Sequence, residues 1–290
     1  MLNKKVIALC LVTMALLGGC TNNSNNASGQ DSNKTSQEQQ SKFTGTKTYE
    51  HLYDATGKKG DVVVTNVEFK DGEPVNVTID VRQESGSMKK QDSKDGKYIM
   101  REGEEKAWHE QVELLENFLK DNKFDISKIT LGENGNTDAI TGVSIKIASY
   151  LDGVKTIIDS VNNNTELKQG FSGVKEISIP YDSTGAKKDE VIAKVVFNNS
   201  TPVNVSIDVK LEDGTMKKKL SSDGGYVMKE GEEKAWHEQM AELEKFIIDN
   251  EFDLSKITLS DKGNTDAISG VSIKIGAYVE AVQKALDEVK

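Results

Sequence analysis

A direct repeat with an offset of 128 residues and no gap governs what this 290-residue chain can fold into. Phe43 matches Phe171, Pro74 matches Pro202, Trp108 matches Trp236 and Ser144 matches Ser272. Between Tyr98–Leu151 and Tyr226–Val279, 37 of 54 positions are identical, while the stretch before them keeps its pattern and fewer of its letters. A solenoid is excluded, since its units run about 20 to 50 residues and stack in threes or more. Two copies of one complete domain follow, over 43–166 and 171–290, each long enough to bury a core. The later part of each copy carries more constraint than packing alone asks for, so function is sought there.

Within each copy the apolar spacing switches from strand to helix periodicity. Asp61 to Phe69, a Lys-Asp-Gly-Glu turn, and then Val75, Val77, Ile79 and Val81 alternating with Asn76, Thr78 and Asp80 predict a β-hairpin with one buried face. Val203, Val205, Ile207 and Val209 repeat the alternation after an Asn198-Asn199 turn. Trp108, Val112, Leu115 and Leu119 fall at i, i+4, i+7 and i+11, as do Trp236, Met240, Leu243 and Ile247, predicting a helix from about Glu104 to Asn122. A second helix is expected to begin near Ser144, where Ile147, Leu151, Val154 and Ile158 recur at that spacing, matched by Ile275, Val279, Val282 and Leu286. Hairpin, helix, loop and helix make an α+β domain, an antiparallel sheet packed with helices.

The first twenty residues resemble a bacterial lipoprotein signal. Lys4 and Lys5 precede an apolar run from Val6 to Leu17 that ends in Leu17-Gly18-Gly19-Cys20, and the run is too short to span a bilayer as a mature helix. The resemblance implies a signal peptide over 1–19, cleavage before Cys20, lipid on Cys20 and attachment to the outer face of the cell membrane. An ordinary secretion signal with an incidental cysteine is the plainer alternative. Removing 19 of the 290 residues leaves 271, and losing Lys4 and Lys5 moves the net charge from −10 to −12. From Thr21 to Lys42 the only apolar side chain is Ala27, so residues 20–42 read as a flexible tether from the lipid to the folded part. The leader also resembles those Gram-positive lipoproteins whose cleaved signals yield short hydrophobic pheromones, which makes Val12 to Gly19 the analogous source.

Charge and cysteine usage remove further classes. Lys+Arg 37 against Asp+Glu 47 repels polyanions, so nucleic-acid binding is set aside. Cys10 lies in the leader and Cys20 would be a thioether, which excludes disulfides, thiolate zinc, iron–sulfur clusters, c-type haem attachment and a cysteine nucleophile. His109 and His237 lack the spacing of a metal site. There is no Ser-His-Asp hydrolase signature, Walker loop or dinucleotide glycine motif. Autonomous catalysis is therefore not expected, and a redox role requires a bound cofactor.

The loop before the second helix reads Asn136-Thr137-Asp138-Ala139-Ile140-Thr141-Gly142-Val143-Ser144-Ile145, and its partner reads Asn264-Thr265-Asp266-Ala267-Ile268-Ser269-Gly270-Val271-Ser272-Ile273. From the residues alone, Ser144 and Ser272 are helix N-caps, Thr141 and Ser269 turn residues, and Asp138 and Asp266 loop hydrogen-bonders. The segment also resembles the flavinylation motif Asp-x-x-Ser/Thr-Gly-Ala-Thr/Ser of FMN-binding domains, as in the C subunit of the sodium-pumping quinone reductase and in extracellular electron-transfer lipoproteins of Gram-positive bacteria. Val143 and Val271 stand where that family more often has Ala, and Ser stands in place of the commoner Thr.

The resemblance implies FMN joined by phosphoesters to Ser144 and Ser272, two per chain, donated from FAD by an FAD:protein FMN transferase. Asp138, Thr141 and Gly142, with Asp266, Ser269 and Gly270, complete the two motifs. It further implies electrons arriving from a membrane NADH dehydrogenase and quinone pool and leaving to flavin shuttles or ferric iron. A phosphoester in a first helical turn would meet free N–H groups and the positive end of the dipole, and each glycine would allow a tight turn and close approach. The block Glu102–Gln111 recurs unchanged as Glu230–Gln239. Its Trp108 and Trp236 lie in the apolar helical stripe, where they serve as core anchors or as stacking surfaces for a flavin ring. A non-enzymatic surface-binding lipoprotein is the alternative function.

Overall fold

The computed structural model describes residues 42–182 and 184–290; the leader, Cys20 and the tether up to residue 41 lie outside the described residues. The fold is α+β. Strands β1 (Gly45–Leu52), β2 (Val62–Lys70) and β3 (Glu73–Arg82) form an antiparallel sheet in the order β1-β2-β3. Helices α1 (Lys89–Lys94), α2 (Trp108–Asp121) and α3 (Ala148–Asn162) follow, with a 3-10 turn at Ile126–Lys128. The same order recurs in β4 (Gly173–Pro180), β5 (Glu190–Asn198), β6 (Thr201–Lys210), α4 (Lys217–Ser222), α5 (Trp236–Asp249) and α6 (Gly276–Asp287), with a 3-10 turn at Leu254–Lys256. Among the described residues no helix is long and apolar enough to cross a membrane.

The expected hairpin is β2–β3, with Lys70 paired to Glu73 across Asp71 and Gly72. Both turn residues take positive φ, 52° and 82°, the two-residue geometry whose twist matches that of paired strands. In the second half the turn falls at Asn199 and Ser200, with φ of 50° and 63°, one residue later than the expected Asn198-Asn199. Val63, Thr65, Val67 and Phe69 of β2 and Val77, Ile79 and Val81 of β3 face the helices, while Val75 at the strand's start stays exposed. A bulge between Glu68 and Phe69 brings Phe69 opposite Pro74, and one between Val196 and Phe197 does the same for Pro202.

Periodicity also hid two pairs of elements. Strand β1 reads Gly-Thr-Lys-Thr-Tyr-Glu-His-Leu, an edge strand whose inward positions are mostly half-buried and not aliphatic, so the alternation is faint. The six-residue α1 and α4 are too short for a helical stripe. In α2 and α5 the expected stripes are buried, Trp108, Val112, Leu115 and Leu119 against Trp236, Met240, Leu243 and Ile247. Both begin at the tryptophan, not at about Glu104. Ala107 has extended geometry, with ψ at 157°, and Glu110 reaches back to accept its N–H at 2.7 Å, closing the helix start there.

Each half buries its own core, and a smaller cluster of Leu52, Val62 and Val196 joins them, packed against Val64, Val174 and Val203. Polar bonds flank this seam. Arg82 forks onto Glu50 at 3.1 and 2.7 Å and donates to the Ser172 carbonyl at 3.2 Å, and the Leu52 N–H donates to Asn198 Oδ1 at 3.1 Å.

Candidate functional site

The motif loop is held from below by residues that pattern reading missed. Thr137, nearly fully buried, donates its hydroxyl to the Thr130 carbonyl at 2.7 Å and accepts the Ala139 N–H at 3.1 Å. Thr265 repeats both bonds with Thr258 and Ala267. Ile140 and Val143, and in the second half Ile268 and Val271, plug into the cores. Val143 and Val271 are therefore packing residues.

Between Ile140 and Val143 the chain makes a tight turn, closed by the Val143 N–H on the Ile140 carbonyl at 3.2 Å. Gly142 sits at its third position with φ of 82°, which only glycine takes without strain. A Cβ there would lie 2.9 Å from Lys106 Cε and 3.2 Å from Leu114 Cδ1. Gly270 repeats this at φ of 78° against Lys234.

Ser144 and Ser272 do not cap a helix or sit in its first turn. Helix α3 starts at Ala148 and α6 at Gly276, and the Ile147 and Ile275 N–H groups are each taken by a glycine carbonyl, Gly135 or Gly263, at 2.7 Å. Both the capping reading and the dipole argument for the phosphoester are corrected by this. What positions each serine instead is a buried glutamine. Gln111, only 1% exposed, accepts the Ser144 N–H at 2.7 Å, the Ile145 N–H at 3.2 Å and the Ser144 hydroxyl at 3.2 Å, while its amide donates to the Lys106 carbonyl at 3.1 Å. Gln239 makes the same set with Ser272, Ile273 and Lys234. The signal was available in the unchanged Glu102–Gln111 block, whose last residue is this clasp.

The same block supplies a carboxylate. Ser144 Oγ donates to Glu104 Oε2 at 2.5 Å, and Ser272 Oγ to Glu232 Oε2 at 2.5 Å. Both glutamates lie ahead of the helix because α2 and α5 start late, which frees them to reach the loop. Both serines are exposed, as are Asp138, Thr141, Asp266 and Ser269. His109 and His237 are half-buried and tied to Ser93 at 2.9 Å and Ser221 at 3.0 Å.

Ser144 stands between two cavities. One, of about 240 Å³, lies over Gly103, Lys106 and Gly142. The other, of about 400 Å³, is walled by Tyr53, Tyr98 and Trp108 and carries Lys89, Arg101 and Lys146. Trp108 is a core side chain, edge-on to Tyr150 at 6.2 Å, and it also closes the floor of this cavity. Burial raises the Tyr53 hydroxyl and pushes that of Tyr150 well up, so both rings stay neutral. A third cavity, of about 770 Å³, shares Tyr53, Asn134 and Lys146 with it and reaches His51, whose imidazole is pushed down by burial and whose Nε2 lies 3.0 Å from the Ser149 carbonyl. The matching cavity of the second half, about 540 Å³, is lined by Tyr181, Lys187, Lys262 and Lys274.

These residues suit a planar aromatic group carrying a phosphate: flat walls, cations, an exposed hydroxyl, and a volume within the range of small-molecule sites. Among the described residues no group of three or more His, Cys, Asp or Glu side chains is placed to hold a metal ion. No protein-family model matches the chain, and no curated protein matches it. It matches the solution NMR structure of a protein from Clostridium thermocellum at 29% identity, over 41% of this chain and 92% of that one, with a TM-score of 0.31.

Proposed function

We propose that this chain is a lipid-anchored extracellular electron carrier built from two tandem FMN-binding domains, with FMN attached through phosphoesters to Ser144 and Ser272. The observation that carries the reading is the doubled acceptor arrangement. In each half an exposed serine hydroxyl is fixed by a buried glutamine and bonded to a carboxylate. In the first half that hydroxyl stands at the rim of an aromatic, cation-bearing cavity. A serine hydroxyl is a weak nucleophile at its free pKa, so a partner enzyme must activate it, and an exposed serine on a glycine turn is open to that partner.

FMN would supply the electron-accepting ring. The chain's part is to hold the ring in the cavity walled by Tyr53 and Tyr98 and to leave an edge open for transfer. Attachment is assigned to an FAD:protein FMN transferase, supply of electrons to a membrane NADH dehydrogenase and quinone pool, and delivery to flavin shuttles or ferric iron. Cys20 places the carrier on the outer face of the cell membrane. Weak, transient docking suffices for such a relay.

A surface-binding lipoprotein without flavin is the second reading, and Ile99 and Val227 favour it. These matched residues are 81% and 82% exposed, as apolar docking points would be. Intact mass and visible absorption of the full chain, made together with the transferase and then denatured, decide between the two. Two added FMN masses and a yellow denatured protein are expected. A colourless chain of unmodified mass overturns the carrier and leaves the binding protein.

A further inference from the structure

We propose that Lys89, and Lys217 in the matching place, set the reduction potential of the attached flavins: each is an unpaired, aromatic-boxed cation that stabilises the negative charge the ring gains on reduction. The proposal rests on the flavin reading above. Lys89 Nζ lies 4.2 Å from the Tyr98 ring centroid and 4.8 Å from that of Trp108. Lys217 Nζ lies 4.2 Å from Tyr226, 4.8 Å from Trp236 and 5.8 Å from Tyr181.

The contrast with the next residue shows that these boxes are particular. Lys90 and Lys218 pair with Glu116 at 2.7 Å and Glu244 at 2.5 Å. Among the described residues Lys89 and Lys217 have no carboxylate within ion-pair distance, although the sequence carries 47 acidic residues. Lys217 is only 8% exposed, and a buried ammonium without an anion loses hydration that ring faces return only in part. Lys89 is half-buried in the same kind of box. A position left without a carboxylate in both halves, when each neighbouring lysine is given a glutamate, is arranged to meet an anion that arrives later. In the first half the open side of the box is the cavity that also holds Ser144.

The charge balance follows. A flavin ring that takes two electrons from the membrane donor and one proton from solvent carries one more negative charge than before. A point charge beside it, half-buried at Lys89 and buried at Lys217, is screened less than one in open solvent and favours that form over the oxidised one. Lysine suits the place because it offers a compact charge.

The test uses full chains bearing a single flavin, made with the transferase. A Ser272→Ala chain reports on Lys89, and a Ser144→Ala chain on Lys217. In each, Lys→Met is expected to leave one FMN mass in place and to weaken reduction at least tenfold, about 30 mV for a two-electron couple, with Lys→Arg restoring most of it. An unchanged potential with flavin attached overturns the proposal and leaves the carrier reading standing. Loss of FMN on Lys→Met in both chains, with thermal melting unaltered, also overturns it and assigns the lysines to attachment. If the parent chains with native lysines carry no FMN, the flavin reading has failed, and this proposal with it.

Discussion

Replacing Gln111 by Ala should undo the first acceptor loop while sparing the second. The side chain accepts two backbone N–H groups and the Ser144 hydroxyl and donates to the Lys106 carbonyl. The three backbone bonds contribute about 1 kcal/mol each, and Gln111 itself is only 1% exposed, so the expected cost is about 3 kcal/mol. With a urea slope of about 1.5 kcal/mol/M for one half, the midpoint should fall by about 2 M. Each core contains a single tryptophan, so in a Trp236→Phe background the Trp108 fluorescence reads the first half alone. FMN incorporation at Ser144 should drop and that at Ser272 should persist. A midpoint within about 0.5 M of the parent, with full incorporation at Ser144, would refute the idea that this amide builds the site. Gln111→Glu keeps the acceptor, loses the donor and should fall between.

Gly142→Ala meets both a positive φ and a crowded Cβ position, whereas Gly86→Ala, at φ of 88° in open space, meets the backbone strain alone. The former should cost more than the roughly 1 kcal/mol of the latter in chemical denaturation, and equal costs would sink the packing argument. Ser144→Ala and Ser272→Ala should each remove one FMN mass at about 1 kcal/mol, since each exposed hydroxyl gives up a single proton shared between a glutamate and a glutamine oxygen. Unchanged flavin content in both would end the assignment. Glu116→Ala should cost about 3 to 5 kcal/mol in thermal melting, because it strands both Lys90 and the Ile79 N–H that the carboxylate accepts at 2.6 Å. Burial holds His51 below its ordinary value of 6.5, so as pH falls from there the unfolded chain takes up a proton first. The His51 contribution to stability is thus complete above pH 6.5 and is lost as pH falls through the folded value. His51→Ile, the residue at matching position 179, should flatten the melting profile between pH 7 and 5, and a parallel profile would contradict it.

Much was legible because the relevant physics is local. Hydrophobic periodicity located β2, β3, α2 and α3 and their mates, and the repeat alone puts the two serines at equivalent positions. Strand β1 escaped because an edge strand buries little aliphatic surface, and α1 and α4 because six residues make less than two turns. Trp108 was readable as a core anchor or as a stacking surface, and the structure places it in the core at the edge of a cavity.

What the sequence determined by itself was the inventory: a repeat at an offset of 128 residues, an α+β pattern, two cysteines confined to the first twenty residues and a motif loop on a glycine turn. Tertiary structure decided which atoms meet. Glu104 and Gln111 are 40 and 33 residues from Ser144, and no local rule says that one bonds its hydroxyl and the other its backbone N–H. Those partners followed from where two helices start, and the starts were set by a carboxylate folding back on Ala107 and a carbonyl of Gly135 claiming the N–H groups ahead of α3. Periodicity reports which face of a helix is apolar; the competition for unpaired N–H groups at its end is settled only when the rest of the chain is in place.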